Sequence, residues 1–141
     1  MANNLQFSIA VHLLAGLACG CDPEEGVTSS HLAQSVNTSP SFVRRTLARL
    51  SRAGLVETAT GQAGACWLAR DAKNISLLDI YQAVDAPKAF SIHNYSEQKV
   101  CTVSCHIKSA LEKALTKTQE AMETSLAEIS LAQIVSDVRK K

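Results

Sequence analysis

Three observations predict a mostly α-helical chain carrying a small β-hairpin and ending in a long helix. Apolar residues recur at helical spacing near the N-terminus (Leu5, Ile9, Leu13, Leu17) and again between Ile107 and Ile129. Helix start signals, above all Ser39-Pro40, punctuate the middle of the chain. Two short apolar runs, Leu55 to Ala59 and Ala65 to Leu68, flank the glycine-bearing loop Thr60-Gly-Gln-Ala-Gly64. With 141 residues, 46% of them hydrophobic, the chain is the size of one ordinary domain and can bury a core.

Taken in order, the first helix carries Leu5, Ile9, Leu13 and Leu17, with Phe7, Ala10 and Leu14 beside them, and is broken by the CGCDPEEG stretch from Cys19 to Gly26. Thr28 is suited to cap a short second helix, His31 to Val36, followed by a tight turn at Asn37-Thr38. Ser39 then offers its hydroxyl to orphan amides, and Pro40 at the first helical position gives up no hydrogen bond. That third helix should run to about Arg52, with Val43, Leu47 and Leu50 on one face and Gly54 as its stop. The two apolar runs after it read as a two-stranded wing. Ser76 with Asp79 resembles a capping box for a short helix through Val84, and residues 86–100 should be irregular. From about Cys105, the stripe Ile107, Leu111, Leu115, Met122, Leu126 and Ile129 predicts a helix that buries itself against a symmetric partner helix. The domain reading is therefore 1–85 as a winged helix-turn-helix, 86–104 as a loop and sensor segment, and 105–141 as a helical dimerisation segment.

The stretch from Ile9 to Ala18 has no basic run before it and is interrupted by His12, so it does not read as an export signal. At about ten residues it is also too short to span a bilayer. A cytoplasmic protein is expected, with no membrane partner. There the cysteines (Cys19, Cys21, Cys66, Cys101, Cys105) suggest free thiols, metal ligation or redox sensing rather than a disulfide framework.

Net charge is only +1, but its distribution is uneven: no acidic residue lies between Glu25 and Glu57, while Arg44, Arg45, Arg49 and Arg52 all fall on the third helix. Arg45, Arg49 and Arg52 share the face opposite Val43, Leu47 and Leu50, so one side can pack while the other meets a polyanion. Arginine also suits guanine edges, which accept its two-pronged donors. A short helix, a tight turn, a second helix with Ser39 and Ser41 at its start, and a glycine-bearing hairpin match a motif that inserts its second helix into the major groove of double-stranded DNA.

The chain, most plainly from Ser29 to Val84 but over nearly its whole length, resembles the Rrf-type bacterial winged-helix transcriptional regulators. The likeness rests on SPSFVRR (Ser39 to Arg45), AGLV (Ala53 to Val56), the wing leading to Leu68-Ala69-Arg70, ISLLDIYQAV (Ile75 to Val84), the cysteine region and the terminal SLAQIV (Ser130 to Val135). It implies a homodimer whose long helices cross and whose winged domains read a palindromic operator, usually as a repressor and not as an enzyme. It also implies that Ser39, Ser41, Phe42, Arg44 and Arg45 meet bases or phosphates, and that the wing tip from Thr60 to Gln62 approaches the minor groove. Ala65-Cys66-Trp67 stands where the family has glycine-glycine-aromatic, with Trp67 still able to anchor the wing's base.

Cluster-binding members of that family carry three cysteines before the long helix, since an iron-sulfur cluster needs a closed shell of four ligands. This chain has two, Cys101 and Cys105, with His93 and His106 nearby. The resemblance implies a further ligand position at His12, supplied by the partner subunit, and an acidic one at Ser8, which is a poor ligand. The leading reading is redox sensing by Cys101 and Cys105 with no resident cofactor. An iron-sulfur cluster or another metal held by Cys101, Cys105, His12 and His106 is the alternative, and inert cysteines are a third. A small thiol oxidoreductase is disfavoured, because the spacing is not C-x-x-C and no strand-loop-helix precedes it.

Overall fold

The computed structural model describes residues 5–20, 26–59 and 64–140. Helix α1 (Leu5–Gly20) lies centrally, burying Ala10, Leu13, Leu14 and Leu17. Leu5, read from spacing as an inward position, is 63% exposed, because the buried face is turned toward Ala10 and Leu14. Strand β1 (Val27–Thr28) leads into α2 (Ser29–Val36), which begins two residues earlier than the sequence suggests. Thr28 caps it by accepting a hydrogen bond from the His31 amide, and Asn37 ends it in the left-handed region at φ 62°.

Helix α3 (Pro40–Arg52) starts with Ser39 Oγ accepting from Phe42 N at 3.2 Å and buries Val43, Thr46, Leu47 and Leu50. Its end is a full Schellman arrangement: Gly54, at φ 78°, donates to Ser51 O, and Leu55 donates to Leu50 O. Leu50 and Leu55 are both buried, which supplies the apolar contact that accompanies this cap.

Strands β2 (Val56–Thr58) and β3 (Ala65–Leu68) form the expected hairpin, pairing Val56 with Leu68 and Thr58 with Cys66. The sheet has a third strand that the two-stranded expectation lacks: β1 adds to the far side of β3, Val27 opposite Cys66. Two residues are too few to show an alternation in sequence. Gly26, at φ 71°, makes the approach feasible, since a Cβ there would lie 2.8 Å from the Trp67 indole.

A 3₁₀ turn (Ala72–Asn74) precedes α4 (Leu77–Ala83), whose capping box between Ser76 and Asp79 is complete in both directions. Residues 87–101 hold neither helix nor strand and form a strap running to α5 (Thr102–Ala127). The chain then breaks, and Ser130 and Gln133 cap a separate helix, α6 (Leu131–Arg139), through a second capping box.

That break divides the segment expected to serve dimerisation as one unit. Leu77 N donates to Ile129 O and Leu131 N to Ile75 O, bridging the start of α4 to the start of α6. Leu131 is fully buried, Val135 nearly so, and Arg139 donates to Ala18 O at the end of α1. Leu126 and Ile129, assigned from periodicity to a partner-facing stripe, pack against the chain's own core. Helix α5, by contrast, contains no buried residue.

Candidate nucleic-acid interface and cysteine region

The candidate interface begins with the serine-capped turn that starts α3. Ser39 uses its oxygen on the Phe42 amide, which leaves its hydroxyl proton free to donate outward. Ser41, Arg44, Arg45, Arg49 and Arg52 are exposed along the same helix, and Phe42 is half-buried. Arg44 Nη2 lies 3.4 Å from Ser41 Oγ, and the Arg45 guanidinium sits 5.8 Å from the centre of the Phe42 ring. Among the described residues none of these four arginines forms an ion pair. Asp85 shares a shallow cleft with Arg49 and Arg52 at the C-terminal end of α3 without pairing with either, while Arg44 and Arg45 carry the unpaired positive charge of the N-terminal half.

The arginines are not equivalent. Arg49 Nη1 donates to Val84 O at 3.0 Å, closing the C-terminal end of α4 against α3. Thr46, buried beside Arg45 and Arg49, donates its hydroxyl to Phe42 O at 3.0 Å and so carries no free donor. Gln6 on α1, which sequence reasoning passed over inside an apolar helix, lines a cleft of about 270 Å³ with Phe42, Arg45, Thr46 and Arg49. The wing's base lies beside α3, but Thr60 and Gln62 of its tip fall outside the described residues.

The thiols occupy different surroundings. Cys101 is exposed and caps α5, its sulfur accepting from Ser104 N at 3.4 Å. Cys105, one turn on, is half-buried, and its thiol donates toward Gln98 O at 3.5 Å, tying α5 to the strap. Ser104 adds two ties, accepting from Tyr95 Oη at its carbonyl and from Gln98 N at its hydroxyl. Cys66 is buried on β3, where its thiol donates to Gly64 O and desolvation pushes its pKa up. Cys19 is exposed at the end of α1, and Cys21 lies outside the described residues.

Of the metal-ligand candidates, His12 Nε2 lies 3.0 Å from Ser35 Oγ, linking α1 to α2. His93 stacks on Tyr95, and His106 is exposed. No group of three or more His, Cys, Asp or Glu able to hold a metal forms among the described residues of one chain. A cluster needs four ligands, so the described residues of a single protomer do not by themselves assemble the donor set for one.

The sequence profile described as "Rrf2: Iron-dependent Transcriptional regulator" matches residues 4–137. The chain belongs to the Rrf2 family. It is similar to "Putative HTH-type transcriptional regulator YwnA" of Bacillus subtilis (strain 168), with 34% identity over 134 residues, or 94% of this chain and 96% of that protein. Its fold is that of CymR, the global cysteine regulator of B. subtilis, at TM-score 0.68 and 18% identity, covering 96% of this chain and 97% of that one. It is equally that of T. potens IscR, at TM-score 0.68 and 22% identity, covering 99% of this chain and 90% of the other. The Rrf2 chain described here is thus a DNA-binding transcriptional regulator with a winged-helix fold. Among its described residues no helix is long and apolar enough to cross a membrane.

Proposed function

We propose that this Rrf2 protein is a homodimeric repressor that places α3 of each protomer in a major groove of a palindromic operator. The observation that carries the reading is the row of exposed Arg44, Arg45 and Arg52, free of ion pairs among the described residues, along a helix opened by a serine cap. Arg44 and Arg45, near the N-terminal end of α3, reach base edges. Arg52, Ser39, Ser41 and the wing tip around Thr60 and Gln62 hold phosphates. Dimerisation is supported by α5, whose outward face of Val103, Ala110, Ala114 and Ala121 is exposed in the single chain and small enough for a second helix to approach closely.

Cys101 and Cys105 are the point of regulation in this reading. A two-electron oxidant such as hydrogen peroxide converts the Cys101 thiol to a sulfenic acid and water, and Cys105 then displaces a second water to form the disulfide. The bond removes the cap on α5 and the Cys105 contact to Gln98 together, loosening the strap.

The test uses a duplex selected from a random library by the wild-type protein. Arg45→Ala should weaken gel-shift binding by about tenfold or more and relax preference at one position of each half-site, corresponding to about 1–3 kcal/mol. Unchanged affinity and preference would remove α3 as the reading element. Cys101→Ser with Cys105→Ser should abolish any loss of binding on peroxide treatment; a persisting response would place regulation elsewhere.

A further inference from the structure

Between the strap and α5 lies a groove of about 570 Å³, within the range of small-molecule sites. The strap contributes Lys88, Phe90 and Ile92, and α5 contributes Leu115 and Gln119 together with the carboxylates of Glu112, Glu120 and Glu123. Phe90 lines the groove and is 60% exposed, so its side chain is open to a ligand there. None of the three glutamates forms an ion pair among the described residues, so a surplus of negative charge faces an apolar floor.

The position on α5 matters as much as the composition. With about 100° of turn per residue, Glu112, Thr116, Gln119 and Glu123 fall on the side of the helix opposite Val103, Ala110, Ala114 and Ala121. A helix pairing through the small-residue face therefore leaves the groove open.

We infer that this groove binds an organic ammonium cation with an apolar body. An aromatic face attracts such a cation, and nearby carboxylates neutralise it. An anion meets net repulsion there. An inorganic divalent ion needs ligands that converge, and no such convergence of three acidic, His or Cys side chains exists among the described residues. The groove's wall is also wired to the rest of the fold. Gln119 Oε1 accepts from Ala89 N, and its amide donates to Tyr81 Oη, which donates in turn to Pro87 O. Tyr81 belongs to α4, whose end holds Arg49 through Val84 O. Any effect of the ligand on DNA affinity rests on the function proposed above; binding itself does not, and it is measured without DNA.

The experiment titrates ¹⁵N-labelled full-length protein with benzyltrimethylammonium, using 3-phenylpropionate as the anion of similar body. Saturable amide shifts are expected at Phe90, Ile92, Leu115 and Gln119 with the cation and not the anion. Glu120→Gln with Glu123→Gln should weaken binding about tenfold, and Phe90→Ala should weaken it to a similar degree, all with unchanged circular dichroism melts, since Glu120 and Phe90 are exposed and glutamine keeps the shape of the half-buried Glu123. Four results would overturn the inference: no saturation, equal binding of the anion, shifts centred outside the groove, or undiminished binding by the glutamine variant. Groove shifts that change with protein concentration alone would overturn it too, by making a second copy of the chain the occupant.

Discussion

Arg45 and Arg49 lie one turn apart on α3, yet their guanidinium groups meet different surroundings: a half-buried aromatic ring in one case and the carbonyl of Val84, the residue that caps α4, in the other. Arg49→Ala therefore deletes a charge-assisted tether between two helices, and its midpoint in a thermal melt should fall by a few degrees, for about 1–2 kcal/mol. Arg45→Ala should melt with the wild type, although it is the more damaging of the two to base preference. Equal melting of the two variants would show that the Val84 contact contributes nothing in solution. Cys66 differs from the other described thiols in a similarly local way. Burial raises its pKa, so the folded state resists forming the thiolate and the unfolded state does not. The resulting contribution to stability is complete below the unfolded thiol value and is lost as pH rises through it toward the folded one. Cys66→Ala should thus lose less of its melting temperature than wild type between neutral and alkaline pH. At neutral pH iodoacetamide should label Cys19 and Cys101 readily and Cys66 only on unfolding; rapid labelling of Cys66 in the native protein would contradict its burial.

At the level of helices and strands, what the sequence disclosed was local chemistry. Ser39-Pro40, Thr28, Gly54 and the Ser76/Asp79 pair each act on amides or backbone angles within a few residues, so caps and stops are found where the residues announce them. What stayed hidden depends on partners distant in sequence. The two residues of β1 acquire strand character only by pairing with β3. Leu126 and Ile129 carry the same periodic signal as Leu111 and Leu115, and no count of spacing distinguishes a stripe that meets its own core from one that meets another molecule. The basic face of α3 was legible because acidic residues are missing around it in the sequence, whereas the Arg49 contact to Val84 and the place of Gln6 beside Arg45 join residues more than thirty positions apart and leave no local signal. Helix α6 shows the cost of misplacing such a piece. Leu131 is wholly buried between α1 and the 3₁₀ turn, and Leu131→Ala should destabilise the winged domain by about 2–5 kcal/mol in urea unfolding. A loss below about 1 kcal/mol would mean that α6 is an appendage after all.

The arrangement of the whole molecule turns on α5, a 26-residue helix with no buried side chain in the single chain. Its half-buried line of Ile107, Leu111, Leu115 and Met122 and its groove side of Glu112, Gln119 and Glu123 leave one further face, that of Val103, Ala110, Ala114 and Ala121. If that face joins two protomers, the recognition helices are held at a fixed separation, and each half-site raises the effective concentration of the other's reader. Ala114→Glu places a charge in the middle of the seam without touching the core, because Ala114 is exposed in the single chain. The variant should run as a monomer in light scattering and keep the wild-type circular dichroism spectrum. It should retain its affinity for a half-site duplex and lose on the order of a hundredfold for the full palindrome. Salt separates the two states as well: log affinity falls with log salt in proportion to the phosphates neutralised, so the monomer's slope should be about half the dimer's. An Ala114→Glu protein that stays dimeric places the seam on another face of the molecule, and one that is monomeric yet binds the full palindrome as tightly as wild type shows that the two winged domains do not read it together.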